Sequence, residues 1–191
     1  MKFYSGIRLS LIAVAATCLV QSCTNPAREY TIEVEDRQPV DIDLGLGTFV
    51  DLCYGSAPAF EDAEIDRFSR DFERKPNGWF EHSKFALDFL LREHKDRYSC
   101  QFSFMSEESV QEFEKHMRIP FNAKEYSKAE FQKLIYANIN SVPFENRVEK
   151  RFASRTKIDD APAMFYGFVF STPTIPKGAT WFGVILQVDK D

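Results

Sequence analysis

Two apolar segments near the C-terminus constrain the fold more than any other feature of the sequence. Residues 164–170 and 180–188 are apolar at both odd and even positions, so a strand made from either would have no water-facing side. Pro173, Pro176 and Gly178 interrupt the chain between them, as in a turn or loop. The pattern predicts two antiparallel strands in the middle of a sheet that is covered on both sides.

Alternation of apolar and polar residues predicts further strands. Residues 30–34 and 40–44 alternate and predict an N-terminal hairpin with its turn at 36–39. Residues 48–54 predict a third strand, which carries Cys53. Residues 97–105 predict a core strand, because Tyr98, Cys100, Phe102 and Phe104 all fall on one side.

Helical spacing of apolar residues predicts helices between these strands. Residues 61–74 form the first predicted helix, and residues 79–93 are apolar around most of a helix circumference, which predicts a largely buried central helix. Its only polar stripe is formed by Lys84, Asp88 and Arg92. Ser106 is the predicted N-cap of a third helix, and Ser127 with Glu130 forms a capping box that begins a fourth.

These elements predict an α+β fold for residues 30–191, treated as a single domain. We expect a mostly antiparallel sheet of about five to six strands packed with about four helices, one of them largely buried. Residues 142–160 give no clear pattern.

The N-terminus has the layout of a secretion signal. Lys2 and Arg8 precede an apolar run at residues 9–20, and the small residue Ser22 directly precedes Cys23. The run is shorter than the roughly 20 apolar residues that a membrane-spanning helix needs. We therefore expect residues 1–22 to be removed.

Residues 19–23, with the sequence Leu-Val-Gln-Ser-Cys, resemble the lipobox of bacterial lipoproteins. The resemblance implies cleavage before Cys23 and acylation of that residue, which would anchor the domain to the membrane without a protein contact. Cys18 is an alternative, but that register shortens the apolar run. Thr24 follows Cys23 where the family's inner-membrane retention signal is Asp, so the resemblance implies the outer membrane. Residues 23–29 would then form a short tether to a periplasmic domain.

The remaining cysteines fit an oxidising compartment. Once residues 1–22 are removed and Cys23 is acylated, only Cys53 and Cys100 are left, and we predict a disulfide between them. The alternative is that Cys53 is a nucleophile assisted by a histidine, but no local sequence signature supports this.

The charge balance disfavours nucleic acid as a partner. Removal of Lys2 and Arg8 leaves 22 basic residues against 29 acidic ones, a formal charge of −7, whereas nucleic-acid binding requires clustered Lys and Arg. The same surplus disfavours docking on anionic lipid. A basic protein partner is permitted, although solubility alone explains a modest acidic surplus.

The sequence contains no recognisable catalytic or cofactor motif, so we predict no catalytic residue, no metal site and no cofactor. Asp41 and Asp43 resemble the start of a calcium loop, but Gly45 stands where the third ligand belongs, and we expect two acids at a strand edge. His82 and His94 would lie about 120° apart on or near the predicted helix and are poor joint metal ligands, and His116 in the last turn of its helix would complement the helix dipole.

Aromatic residues are abundant, and 19 of them are phenylalanine, which is mainly a core residue. Trp79 and Trp181 are the positions at which we expect possible exposed aromatic contacts. The sequence thus favours a non-enzymatic envelope lipoprotein that binds another protein at the membrane, such as an immunity protein against an envelope-targeting toxin or an accessory subunit of an outer-membrane assembly. The alternatives are an envelope hydrolase and a lipid- or glycan-binding lipoprotein.

Overall fold

The computed structural model describes residues 37–57, 69–136, 148–170 and 178–190, all of which belong to one compact unit, Val34–Asp191. The signal segment, Cys23, the tether and the predicted strand at residues 30–34 lie outside the described residues. In chain order the elements are α1 (Ile42–Phe49), a π-helix (Val50–Tyr54), a 3₁₀ turn (Ser69–Asp71), β1 (Phe72–Arg74), β2 (Phe80–His82), β3 (Leu87–Glu93), β4 (Arg97–Ser106), α2 (Val110–Arg118), β5 (Lys124–Glu125), α3 (Lys128–Tyr136), β6 (Val148–Ile158), β7 (Ala161–Phe170) and β8 (Thr180–Asp189).

The strands form a single antiparallel sheet in the order β1-β2-β3-β4-β8-β7-β6-β5. The α+β class and the antiparallel sheet are therefore as predicted, but the counts differ. The described residues contain eight strands and three α-helices, because short strands such as β1 and β5 form only by pairing with a neighbour. The predicted central pair is confirmed, since β7 and β8 are adjacent and lie in the middle of the sheet.

One face of the sheet is covered by α1 and α2 and holds the main core. Many of its side chains are aromatic, and the rings of Phe113 and Phe182 stack with centroids 4.5 Å apart. Phe121 stacks on Phe165 in the same way at 4.3 Å. Contacts of this kind add to the large apolar area that each ring buries. The abundance of phenylalanine is thus explained by the core.

The opposite face is covered in part by α3. Phe131 of this helix lies edge-on to Tyr166 and Phe168 of β7, with ring centroids 5.8 Å and 5.4 Å away. The predicted capping box begins this helix, because Glu130 accepts a hydrogen bond from the backbone N–H of Ser127 and the Ser127 hydroxyl accepts one from that of Glu130.

The strands predicted at residues 40–44 and 48–54 are wrong, because the chain is helical from Ile42 to Tyr54. The buried positions are Ile42, Gly45, Leu46 and Phe49, which is helical spacing. Gly45 hides this periodicity in the sequence, since it is buried without being a large apolar residue. An added Cβ at Gly45 would lie 2.6 Å from the ring of Phe104. Glycine is therefore what lets α1 approach the sheet.

The buried helix predicted at residues 79–93 is also wrong, and β2 and β3 occupy this region. Leu87 and Phe89 point into the main core, while Asp88 and Leu90 are buried on the opposite face. A strand covered on both faces has apolar residues at nearly every position, which resembles a buried helix in sequence. Asp88 is accordingly a buried residue and not part of a solvent stripe.

The other predicted elements are confirmed in part. The predicted core strand at residues 97–105 is confirmed as β4. The third helix is also present, but its N-cap is Ser109, whose side chain accepts a hydrogen bond from the N–H of Glu112, and not Ser106. The helix predicted at 61–74 is wrong where the structure describes it, since residues 69–74 form the 3₁₀ turn and β1. The region 142–160, for which the sequence shows no clear pattern, includes β6.

Candidate protein-binding surface

The predicted disulfide between Cys53 and Cys100 is present. It joins the π-helix to β4, and both residues are fully buried in the main core. The alternative of Cys53 as a nucleophile is therefore wrong, because its sulfur is bonded to Cys100. The disulfide instead holds the end of the helical segment against the centre of the sheet.

The side of α1 and the π-helix that faces away from the sheet combines apolar and acidic residues. Leu44 is 49% exposed and Val50 is 40% exposed, and the exposed Gly47 lies between them in the sequence. Asp43 and Asp51 are exposed on the same side. The chain has no Lys or Arg from residue 38 to residue 57, so these carboxylates have no basic neighbour in their own segment.

The end of α2 runs beside this helical segment and adds a third exposed apolar residue. His116 contacts Asp43 of α1, and the ring of Phe121 lies 6.3 Å from the ring of Tyr54 in the π-helix. Ile119 lies in the sequence between these two contacts and is 74% exposed. We call the set formed by Asp43, Leu44, Gly47, Val50, Asp51, His116 and Ile119 the acidic–apolar surface.

His116 connects the two helices through both of its ring nitrogens. Nε2 lies 2.7 Å from a carboxylate oxygen of Asp43, and Nδ1 lies 2.9 Å from the backbone carbonyl of Glu112. Both partners are acceptors, so a neutral imidazole can donate to only one of them, whereas the imidazolium form donates to both. Burial lowers the pKa of His116, but the Glu112 carbonyl and the Asp43 carboxylate outweigh this and raise the pKa above its usual value.

This arrangement makes His116 a poor general base. A base needs an unprotonated nitrogen within reach of a substrate, and here each nitrogen is already directed at an acceptor. The pairing with Asp43 is thus a link between α1 and α2. His116 was expected to have a structural role at the end of its helix, and its contact with a residue 73 positions away was not expected.

Asp41 and Asp43 stand at the start of a helix, and the expectation of a strand edge is wrong. Asp41 is the N-cap residue of α1, and Glu108 accepts a hydrogen bond of 2.5 Å from the N–H of Ile42. Carboxylates at a helix N-terminus are stabilised by its exposed N–H groups. Among the described residues, the structure brings together no group of three or more His, Cys, Asp or Glu able to hold a metal ion.

The other two histidines lie apart from this surface. Nδ1 of His82 accepts hydrogen bonds from the N–H groups of Lys84 and Phe85, both at 3.0 Å, and burial lowers the pKa of this imidazole. Nε2 of His94 lies 3.2 Å from the hydroxyl of Ser99. Both therefore have local structural contacts.

The tryptophans do not form an exposed aromatic site. Trp181 is only 2% exposed, so the expectation of an exposed contact there is wrong. It lies in β8 beside Met105 of β4 and Phe170 of β7, its partners in the two neighbouring strands. Trp79 is half-buried. In the part of the chain that the structure describes, the exposed large apolar side chains are aliphatic: Leu44, Val50 and Ile119. The period-two pattern wrongly placed Leu44 on the buried side of a strand.

A buried ion pair lies at the beginning of the described chain. The guanidinium of Arg37 binds both carboxylate oxygens of Asp88, at 2.5 and 3.2 Å. Burial raises the pKa of Asp88 to about 6, although the hydrogen bonds from Arg37 act in the opposite direction. The next residue, Gln38, forms an isolated parallel β-bridge with Phe85. The first described residues are therefore attached to β3 and to the residues just before it.

Comparisons with protein-family models, with curated proteins and with solved structures each find no match to this chain. None of the helices in the described part of the chain is both long enough and apolar enough to cross a lipid bilayer.

Proposed function

We propose that this chain is a lipid-anchored protein of the bacterial cell envelope whose domain binds another protein through the acidic–apolar surface. One observation carries the binding part of the proposal. The large apolar side chains that are exposed among the described residues are Leu44, Val50 and Ile119, and all three lie on the helical segment or at the end of α2, which contact each other.

Single exposed apolar residues are common and need no explanation, whereas a group of them next to polar residues is typical of interaction sites. Here the group lies on two adjacent segments that His116 links directly. Fully burying a Leu, Ile or Val side chain contributes about 1.5–3 kcal/mol. A partner that covers these three would therefore gain a substantial apolar contribution to binding.

The envelope location is supported by the resemblance of residues 19–23 to a lipobox and by the disulfide, which suits an oxidising compartment. Acylation of Cys23 would hold the domain near the outer membrane on its periplasmic side. An immunity protein against an envelope-targeting toxin and an accessory subunit of an outer-membrane assembly both fit this arrangement.

The binding proposal is tested by photocrosslinking of the full-length protein in its native cells. A photoreactive amino acid replaces Leu44 or Ile119, and in a matched control it replaces Lys157, which is exposed on β6. We expect a protein adduct from positions 44 and 119 and none from position 157. The absence of a protein adduct at both test positions would contradict the binding proposal.

The anchor is tested separately with Cys23→Ser. We expect the variant to remain folded and to fractionate with soluble periplasmic proteins, whereas the wild-type protein stays with membranes at high salt. If the variant also remains with the membranes at high salt, the lipid-anchor proposal is wrong.

A further inference from the structure

Gly47 has no packing role among the described residues. A Cβ added there would meet no atom within 4 Å, and its φ lies outside the left-handed region that favours glycine. Glycine inside a helix destabilises it relative to alanine, so a glycine here has a cost that the fold does not explain. Gly45, two residues earlier, differs because Phe104 occupies the space beside it.

Because Gly47 has no side chain and nothing lies within 4 Å of where a Cβ would be, the outer side of the helical segment has a gap at this position, which we call the depression. Residues three and four positions away are the nearest neighbours on a helix surface. Asp43 and Leu44 lie one turn before Gly47 in α1, and Val50 and Asp51 follow it at the start of the π-helix; all four are exposed. The floor therefore lacks a side chain, and both ends present an apolar group and a carboxylate.

The charges of this depression are poorly balanced within the chain. Asp51 makes no ion pair among the described residues, and Asp43 contacts His116 through only one oxygen. The other two basic residues of α2 have partners of their own, since Lys115 binds Glu112 at 3.0 Å and Arg118 lies 3.7 Å from Glu125.

We propose that the depression receives a basic amphipathic segment of the protein partner. The segment approaches closely over Gly47, places apolar side chains against Leu44 and Val50, and directs Lys or Arg towards Asp43 and Asp51. This inference rests on the proposed function and names the chemistry of its partner. A second copy of the chain is disfavoured as occupant, because it would bring like charges together.

The test uses the full-length protein in its native cells with the photoreactive amino acid at position 44. The adduct is digested, and mass spectrometry identifies the segment of the partner that carries the crosslink. We expect a segment with apolar residues and at least two Lys or Arg. A segment that is neutral or acidic would overturn this inference while leaving the proposed function standing.

Two substitutions test the shape and the charge of the depression in the same assay. Gly47→Leu fills the floor, and Asp51→Lys reverses one charge; each should lower the adduct yield by about 10-fold or more, the equivalent of about 1.4 kcal/mol. Gly47→Ala and Asp51→Asn are the matched controls, with smaller losses expected. Thermal unfolding of each variant checks that the fold is retained.

The outcomes separate the two proposals. If no protein adduct forms at position 44 or at position 119, both proposals fail. If the adduct forms but its yield is unchanged in Gly47→Leu and Asp51→Lys, the basic-segment inference is wrong and the binding function remains. Restoration of the Asp51→Lys adduct by a Lys→Glu change in the partner segment would establish the charge pairing directly.

Discussion

The two sides of the segment from Ile42 to Tyr54 differ in what their residues contact. The inner side is fixed by the fold, with Phe49 fully buried among other rings and Cys53 bonded to β4. The outer side presents Leu44 and Val50 to solvent between carboxylates. The residues on the inner side are needed for stability, whereas those on the outer side are available for contacts with another molecule. Substitutions on each side should therefore have different consequences.

The largest expected effect is that of Phe49→Ala. The ring centroid of Phe49 lies within 6.2 Å of the ring centroids of Phe102, Phe121 and Phe165. Removal of the Phe49 ring therefore leaves a cavity in the main core. Such substitutions cost about 3–5 kcal/mol. Urea unfolding of the full-length protein in the Cys23→Ser background measures the loss. Val50→Ala, on the outer side, is the matched control and should change the free energy of unfolding by less than about 0.5 kcal/mol. Equal losses would contradict the distinction between the two sides.

Removal of the disulfide is expected to cause the second-largest loss of stability. The double variant Cys53→Ala/Cys100→Ala opens a connection between residues 47 positions apart, and the chain-entropy model gives a loss of up to about 4 kcal/mol. The measurement is urea unfolding with and without a reducing agent. Reduction should destabilise the wild-type protein and leave the double variant unchanged. A wild-type protein that is equally stable after full reduction would show that the crosslink contributes nothing.

The two glycines of α1 give the sharpest comparison. Gly45→Ala forces a Cβ against the buried ring of Phe104, and we expect a loss of about 1–3 kcal/mol from overpacking. Gly47→Ala meets open space, and we expect a gain of about 0.5–1 kcal/mol from helix propensity. Thermal unfolding of the two variants side by side should show midpoint shifts of opposite sign. A destabilising Gly47→Ala would mean that the fold itself requires this glycine.

The smallest expected effect is the pH dependence that arises from His116. Its folded-state pKa is raised, so its contribution to stability is complete below the unfolded-state value of about 6.5 and is lost as pH rises through the folded-state pKa. The contact partner Asp43 is largely exposed, so the contribution should be about 0.2–1 kcal/mol. Comparison of urea unfolding at pH 6 and pH 8 measures it. His116→Gln should reduce the difference between the two pH values, and an unchanged difference would assign the effect to another group.

The parts of the fold that were predicted from sequence have strong local signals. The β7–β8 pair has apolar residues on both faces, and the helix at Lys128 begins with a complete capping box. The disulfide was predicted because only Cys53 and Cys100 remain once residues 1–22 and the predicted acylation site Cys23 are set aside. In each case the evidence lies within a few residues or in a simple count.

The parts that were missed depend on contacts between distant residues. β3 resembles a buried helix in sequence because its first four residues are buried on both faces of the sheet, and its length alone did not resolve the ambiguity. In α1, Gly45 fills a buried position that a helical pattern assigns to an apolar residue, since Phe104 supplies the bulk from β4. Sequence periodicity does not contain this information.

The acidic–apolar surface was missed for a related reason. The exposure of Leu44 follows from the side of α1 that packs on the sheet, and that of Ile119 follows from the path of the chain between His116 and Phe121. Neither can be read from residue type. The one available signal was the absence of basic residues between positions 38 and 57 beside three aspartates, which indicates an unbalanced local charge.

The position of β8 has a consequence for the order in which the protein can acquire its structure. This strand comes last along the described chain, yet it lies between β4 and β7 and pairs with both along nearly its whole length. During synthesis from the N-terminus, β1–β4 and β5–β7 have no strand to connect them until β8 is made. Completion of the sheet is therefore the final event of vectorial folding, and a chain that stops before Thr180 would leave two separate partial sheets with exposed edges.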